Sequence, residues 1–131
     1  MPSPTTIARI DHVVLYVADL DAAAAFYETA LGLVVERRLE SPALAQLRAG
    51  EALLDLIRTP GDRTGPTPIH HVALGVDDAD LGPLRDHLKD IGAEPDDIKT
   101  RYGALGFGPS FTFRDPDGNL VEIKGTDKEQ Q

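Results

Sequence analysis

Four polar side chains stand in stretches that otherwise read as buried strands: His12 in "RIDHVVLYV", Asp55 in "EALLDLIRT", His71 in "PIHHVALGV" and Glu122 in "NLVEIKG". A carboxylate inside an apolar run costs several kcal/mol unless it is paired, protonated or bound to a cation. For Asp55 alone there is a simple account. Alternate residues of a strand face opposite ways, so Asp55 can meet water while Leu54 and Leu56 meet the core. Leu53 and Ile57 then share its face, which makes that face either a wetted cleft or a site. Taken together, two imidazoles and one or two carboxylates form a donor set for a divalent transition metal. A metal turns the carboxylates into ligands, and two histidines with one carboxylate leave coordination positions open for substrate.

The elements that would position these groups occur twice. "IDHVVLYVADLDAAAAFYETALGL" and "IHHVALGVDDADLGPLRDHLKDIGA" align at an offset of 71 − 12 = 59 residues, matching Ile10 with Ile69, His12 with His71 and Asp19 with Asp78. Each copy opens on a β-branched, apolar run that predicts a strand. An acidic turn able to cap a helix follows. Leu20, Ala24, Tyr27 and Leu31 recur at helical spacing, as do Leu81, Leu84, Leu88 and Ile91, and Gly32 and Gly92 stand where helix C-termini want glycine. Strand patterns return over 34–39, 44–49 and 52–57 in the first copy, and over 94–98, 110–114 and 120–124 in the second. "RDPDGNL" reads as a hairpin turn. Each half is therefore β-α-β-β-β. Half a chain of 131 residues is too short to bury a good core alone, so the halves are expected to share one sheet system. The sequence divides into module 1 (about 7–60), a Gly/Pro-rich linker (61–68) and module 2 (about 69–125) of a single domain spanning 1–131.

Strand parity places His12 with Ile10, Val14 and Tyr16, opposite an apolar face of Val13, Leu15 and Val17. It places His71 with Ala73 and Gly75, and Glu122 opposite Val121 and Ile123. All four polar groups can thus occupy the sheet face away from the helices. His70 falls on the other parity and reads as structural or partly exposed. His87, near Asp86 and Lys89, reads as solvated.

With "IDHVVLYVADLDAAAAFYETALGL", "HHVALGV" and "FRDPDGNLVEI" in place, the chain resembles the vicinal oxygen chelate superfamily from about Arg9 to Lys124. That group includes glyoxalases, fosfomycin-resistance thiol transferases, extradiol dioxygenases and bleomycin-binding proteins. The resemblance implies an α+β fold of tandem βαβββ modules forming a cupped sheet, with completion across a dimer left open. It implies His12, His71 and Glu122 as ligands of one divalent metal ion (Ni, Zn, Mn or Fe(II)). The additional acidic ligand of the lyase group falls on Asp55, one methylene shorter than the family's Glu. Members share a site and differ in chemistry. The dioxygenases and fosfomycin enzymes are similar in having a tyrosine ten residues before the metal glutamate, at 122 − 10 = 112, where this chain has Thr112.

The expected function is redox-neutral lyase, isomerase or thiol-transfer chemistry on a small oxygen-chelating substrate, with Glu122 or Asp55 moving the proton. The alternatives are an Fe(II) extradiol dioxygenase and a metal-free antibiotic-binding module of the bleomycin-resistance type. The intact His/His/Glu set, the 5% aromatic content and the absence of Trp favour an enzyme over the binder. In the glycine-rich loop "TRYGALGFGPS" Arg101, Tyr102 and Ser110, with Thr112 beyond it, are the candidate substrate contacts, and the loop itself is a candidate lid. A homodimer is expected, because each half supplies an edge strand and small members commonly form their sheets across two chains. The net charge of −9 argues against nucleic acid and anionic membranes as partners. There is no cysteine, which excludes disulfides, thiolate nucleophiles and Cys-based zinc sites. No signal peptide or membrane span is visible, so a cytoplasmic location is the expectation.

Overall fold

The structure, a computed structural model, describes residues 9–60 and 69–127. The expected linker over 61–68 lies outside the described residues. The first module runs β1 (His12–Val17), α1 (Leu20–Leu31), β2 (Val34–Glu40), β3 (Ala43–Ala49) and β4 (Ala52–Arg58). The second runs β5 (Val72–Gly75), α2 (Gly82–Asp90), β6 (Lys99–Gly103), β7 (Gly106–Arg114) and β8 (Leu120–Lys124). The sheets have equivalent orders, β1-β4-β3-β2 and β5-β8-β7-β6, and in each the first strand lies parallel to the last. This is the expected α+β tandem of βαβββ modules.

Local chemistry explains the boundaries. Asp19 caps α1 by accepting from the Ala22 N–H at 3.0 Å, and Gly32 ends it at φ 69°, a left-handed conformation that glycine adopts without a Cβ penalty. α2 starts without a side-chain cap, with Pro83 in its first turn.

The expected strand over 94–98 is not a strand. Pro95 has no N–H to give, and Asp96 substitutes for regular pairing. Its N–H donates to the Thr112 carbonyl at 2.9 Å, and its carboxylate accepts from the Thr112 N–H and hydroxyl at 2.6 and 3.0 Å. The second strand of the module instead begins at Lys99. The segment expected to be a glycine-rich lid is therefore largely the β6–β7 hairpin, with Ala104 and Leu105 as its turn.

The two sheets are also separate within one chain, and β1 and β5 each pair on one side only. What the modules share is a core. One apolar cluster includes Leu15, Val17, Tyr27, Leu47, Leu54 and Leu56 from the first module with Leu88, Phe111, Phe113, Val121 and Ile123 from the second. Phe26 of α1 meets Phe113 of β7 at a ring-centroid distance of 6.1 Å. His87, expected to be merely solvated, joins the helices by donating through Nε2 to the Thr29 carbonyl at 2.8 Å.

The "DPDGN" turn carries more than a hairpin reversal. Asp115 is buried and accepts from the Tyr27 hydroxyl (2.8 Å), the Asn119 side-chain amide (2.9 Å) and the backbone N–H groups of Asp117 and Asn119 (2.9 Å each). Asn119 also donates to the Tyr16 carbonyl at 3.1 Å, and Asp117 accepts from the Ala18 N–H at 2.6 Å. The turn thus pins the second module to the end of β1. Burial and the neighbouring Asp115 push the Tyr27 phenol far above its ordinary range, so it stays a donor at any pH the fold survives.

Just beyond β8, a Cβ added at Gly125 would lie 2.5 Å from the Asp78 carbonyl oxygen, a backbone atom that cannot step aside. Gly125→Ala is therefore expected to lower the thermal midpoint measurably, read by differential scanning calorimetry. Gly50→Ala, with nothing within 4 Å of its added Cβ but a φ of 62°, is expected to cost only about 1 kcal/mol.

Candidate metal-binding cleft

Register fixes which side chains share a face. On the first sheet Val14 lies opposite Asp55, and Asp55 opposite Gln46. His12, Asp55 and Gln46 therefore project from the face away from α1, while Leu54 and Leu56 enter the core. Asp55 is 4% exposed despite facing away from the core. Its Oδ2 accepts from Gln46 Nε2 at 3.2 Å, and its Oδ1 is buried with no hydrogen-bond partner. A buried carboxylate oxygen left unpaired is costly. His12 Nδ1 sits 2.9 Å from Asp11 Oδ1, and that hydrogen bond, aided by the Asp55 and Asp11 charges, raises the imidazole above its usual pKa.

On the second sheet Ala73 lies opposite Glu122 and Glu122 opposite Thr112. His71 Nε2 is 3.4 Å from Glu122 Oε1, and this pair forms one wall of a cleft of about 400 Å³ that also reaches Tyr102, Leu105 and Lys124. The parity argument for His70 fails. Both histidines precede β5, which starts only at Val72, so strand alternation does not separate them, and His70 Nδ1 lies 2.9 Å from His71 Nδ1. That contact fixes the ring of His71 with Nε2 toward Glu122, the usual task of an outer partner to a metal-binding histidine.

The candidate substrate contacts are placed unequally. Ser110 is fully buried, and its hydroxyl accepts from Arg101 Nη1 at 2.9 Å. The Thr112 hydroxyl is taken by Asp96. Tyr102 is exposed on the hairpin, with its ring packed edge-on against Phe107 at 5.0 Å. Gln46, His70 and Lys124 were not picked out by residue type. Only the pairing register, which no local pattern encodes, brings Gln46 to Asp55, whereas Lys124 falls into line with Glu122 by alternation along β8.

The four candidate ligands thus form two pairs, His12 with Asp55 on one sheet and His71 with Glu122 on the other. Among the described residues, no three His, Asp or Glu side chains of one chain come together as a metal site. Two imidazoles, a carboxylate facing one of them and a second carboxylate with an orphaned oxygen are nonetheless the donor types a divalent ion takes, so the residues present fit one.

Comparison with known proteins places the fold. The model of the "Glyoxalase/Bleomycin resistance protein/Dioxygenase superfamily" matches residues 9–123. An integron cassette protein from the mobile metagenome of V. cholerae is 29% identical, with 94% of this chain and 98% of that one covered at a TM-score of 0.75. Virulence protein STM3117 from Salmonella typhimurium is 26% identical, over 94% and 100% of the two chains, at 0.74. The fosfomycin resistance protein FosX from Listeria monocytogenes is 19% identical, over 95% and 98%, at 0.74, a likeness of fold.

Proposed function

Because the chain belongs to the glyoxalase/bleomycin resistance protein/dioxygenase superfamily, we propose that it is a divalent-metal-dependent enzyme acting without net redox change on a small oxygen-chelating substrate, with each metal site completed across a homodimer. His12 and Asp55 from one protomer would face His71 and Glu122 from its partner. The observation that carries this reading is the split donor set: each sheet holds one histidine and one carboxylate on its outer face, and neither pair suffices alone. The single-sided strands β1 and β5 supply edges along which two chains can meet. Ile10, Val14 and Tyr16, exposed beside His12, give an apolar surface for a second chain to cover.

A bound divalent ion supplies Lewis acidity, polarising paired substrate oxygens and stabilising an enolate-like anion. The protein's own groups do the rest. His70 orients His71, Gln46 holds Asp55 by one oxygen, and Glu122 and Asp55 are the carboxylates within the site able to take a substrate proton. His12, Asp55, His71 and Glu122 would hold the ion with four donors, a set that would leave room for a two-oxygen substrate and would suit nickel, manganese or zinc over an oxygen-activating ferrous centre. The engagement of the Thr112 hydroxyl by Asp96 supports the same choice, because no proton relay is free at that position.

The test is metal analysis of untagged protein with activity screens on 2-oxoaldehyde–thiol adducts and on catechols. One equivalent of metal per chain and turnover of the adducts are expected. Oxygen consumption on a catechol would replace this reading with the dioxygenase.

Asp55 gives a second test. Asp55→Asn keeps the size and the Gln46 contact while removing an uncompensated charge. It is expected to raise the thermal midpoint of the metal-free protein and to weaken metal binding by about 10–100-fold. A lowered midpoint in the metal-free state would mean that the carboxylate has a stabilising partner and is not held in reserve for a cation.

A further inference from the structure

We propose that Lys124 is the specificity-determining residue of the cleft and that the substrate carries an anionic group, a carboxylate, phosphonate or phosphate, docked on its ammonium. The inference rests on reading His71 and Glu122 as the reacting end of the same cleft.

Lys124 is the next residue after Glu122 on the same face of β8, so the two side chains leave the strand about 6.6 Å apart. Both line the 400 Å³ cleft, which limits the ligand to a small molecule. The side chain does not extend into solvent. It lies across the neighbouring strands, over positions that a side chain would block. A Cβ added at Gly103 would stand 3.2 Å from Lys124 Cε, and one at Gly108 would stand 2.6 Å from the Gly125 carbonyl oxygen and 2.9 Å from Lys124 Nζ. Gly103 on β6 therefore clears the bed for the lysine stem, and Gly108 on β7 makes room both for the ammonium and for the Gly125 carbonyl to which it donates. That clearance is costly in strands, where glycine is disfavoured, and it favours a held cation over an incidental one.

The ammonium donates one hydrogen bond, to the Gly125 carbonyl at 3.0 Å. An ammonium has three protons to give, so donors remain for a ligand. Among the described residues Lys124 makes no ion pair, in a chain with 22 acidic and 13 basic residues. Arg101 and Lys99 share this sheet face, but neither lines the cleft, and Arg101 already holds Ser110 and lies 4.0 Å from Asp96 Oδ2. A chain of net charge −9 repels anions at long range, so an anion that enters this cleft needs a local, unneutralised cation. Lys124 is that cation.

The experiment uses the metal-free protein, so that it stands apart from the metal reading. Methylphosphonate, acetate and neutral N-methylacetamide are titrated while the backbone amides of Gly103, Gly108 and Gly125 are followed by nuclear magnetic resonance. Saturable shifts at these glycines are expected for at least one anion and not for the amide. A preference for methylphosphonate assigns a phosphonate or phosphate substrate, and a preference for acetate a carboxylate. Lys124→Met and Lys124→Gln, which keep most of the stem, are expected to weaken anion binding by about tenfold or more, while Lys124→Arg retains it. Equal shifts with the neutral amide, or unchanged anion affinity in the Met and Gln variants, would overturn the proposal. Metal titration of the same variants is expected to match wild type. If wild type binds no metal yet the anion shifts persist, the catalytic reading falls and the anion subsite stands.

Discussion

If the proposed sites span a dimer, co-expressed His12→Ala and Glu122→Ala chains are expected to bind metal that neither variant binds when made alone. Each single variant loses one donor from every site, and the loss of a ligand is expected to cost more than about 100-fold in affinity. In a mixed dimer the two lesions fall together. One site inherits both substitutions, and the other receives His12 and Asp55 from the Glu122→Ala chain and His71 and Glu122 from the His12→Ala chain. Random assortment gives about half mixed dimers, so about one quarter of the wild-type sites recover. Sites contained within a single chain would recover nothing on mixing. Co-purification on two different tags followed by metal analysis reads the difference directly, and failure to isolate any mixed species at micromolar concentration would remove the dimer itself.

The largest effect on stability is expected at Asp115, far in sequence from any candidate ligand on the first sheet. Asp115→Ala strips acceptors from the Tyr27 hydroxyl, the Asn119 side chain and two backbone N–H groups at once. Three of these four donors belong to buried residues, Tyr27 and Asn119, with little water to replace the carboxylate. Removing one member of such a buried network costs about 3–5 kcal/mol, a large part of the ~5–15 kcal/mol that holds a domain folded. A fall in thermal midpoint of roughly 10–20 °C should follow. Tyr27→Phe removes a single donor and leaves Asp115 its other partners, so a loss of only about 1–2 kcal/mol is expected. Calorimetry of the two variants decides the matter, since equal and small losses would mean that the turn reverses the chain and does not hold the modules together.

Much of the architecture is legible from spacing. The 59-residue offset, the helix periodicity and the alternation of Val13, Leu15 and Val17 with His12, Val14 and Tyr16 specify two βαβββ units and a polar face on each sheet. The first module's strands fall within one residue of expectation, because each is bounded by a turn or cap signal. The second module is harder to read. In "EPDDI" a side-chain carboxylate does the work of a backbone ladder, and glycines in "YGALGFG" that suggest a loop instead make room within a hairpin for Lys124. The pairing of His70 with His71 is hidden for another reason. Alternation holds only inside a strand, and β5 begins two residues too late to separate them. The relation between modules is the least legible of all, because Tyr27–Asp115 and Tyr16–Asn119 join residues 88 and 103 positions apart.

Those long-range links have a consequence for how two sites would respond to their first ligand. In the dimer proposed above, the chain that gives His12 to one site gives Glu122 to the other, and its two modules are welded by a common core and by the Asp115 turn. Ordering the first site steadies one module in each protomer, and the weld passes that order to the modules that build the second. The second ion then meets a pocket whose entropy cost is already partly met, which is positive cooperativity without any change of shape. Metal uptake by the wild type would follow a Hill coefficient above one, and loosening the turn with Asn119→Ala would bring it back toward independent sites.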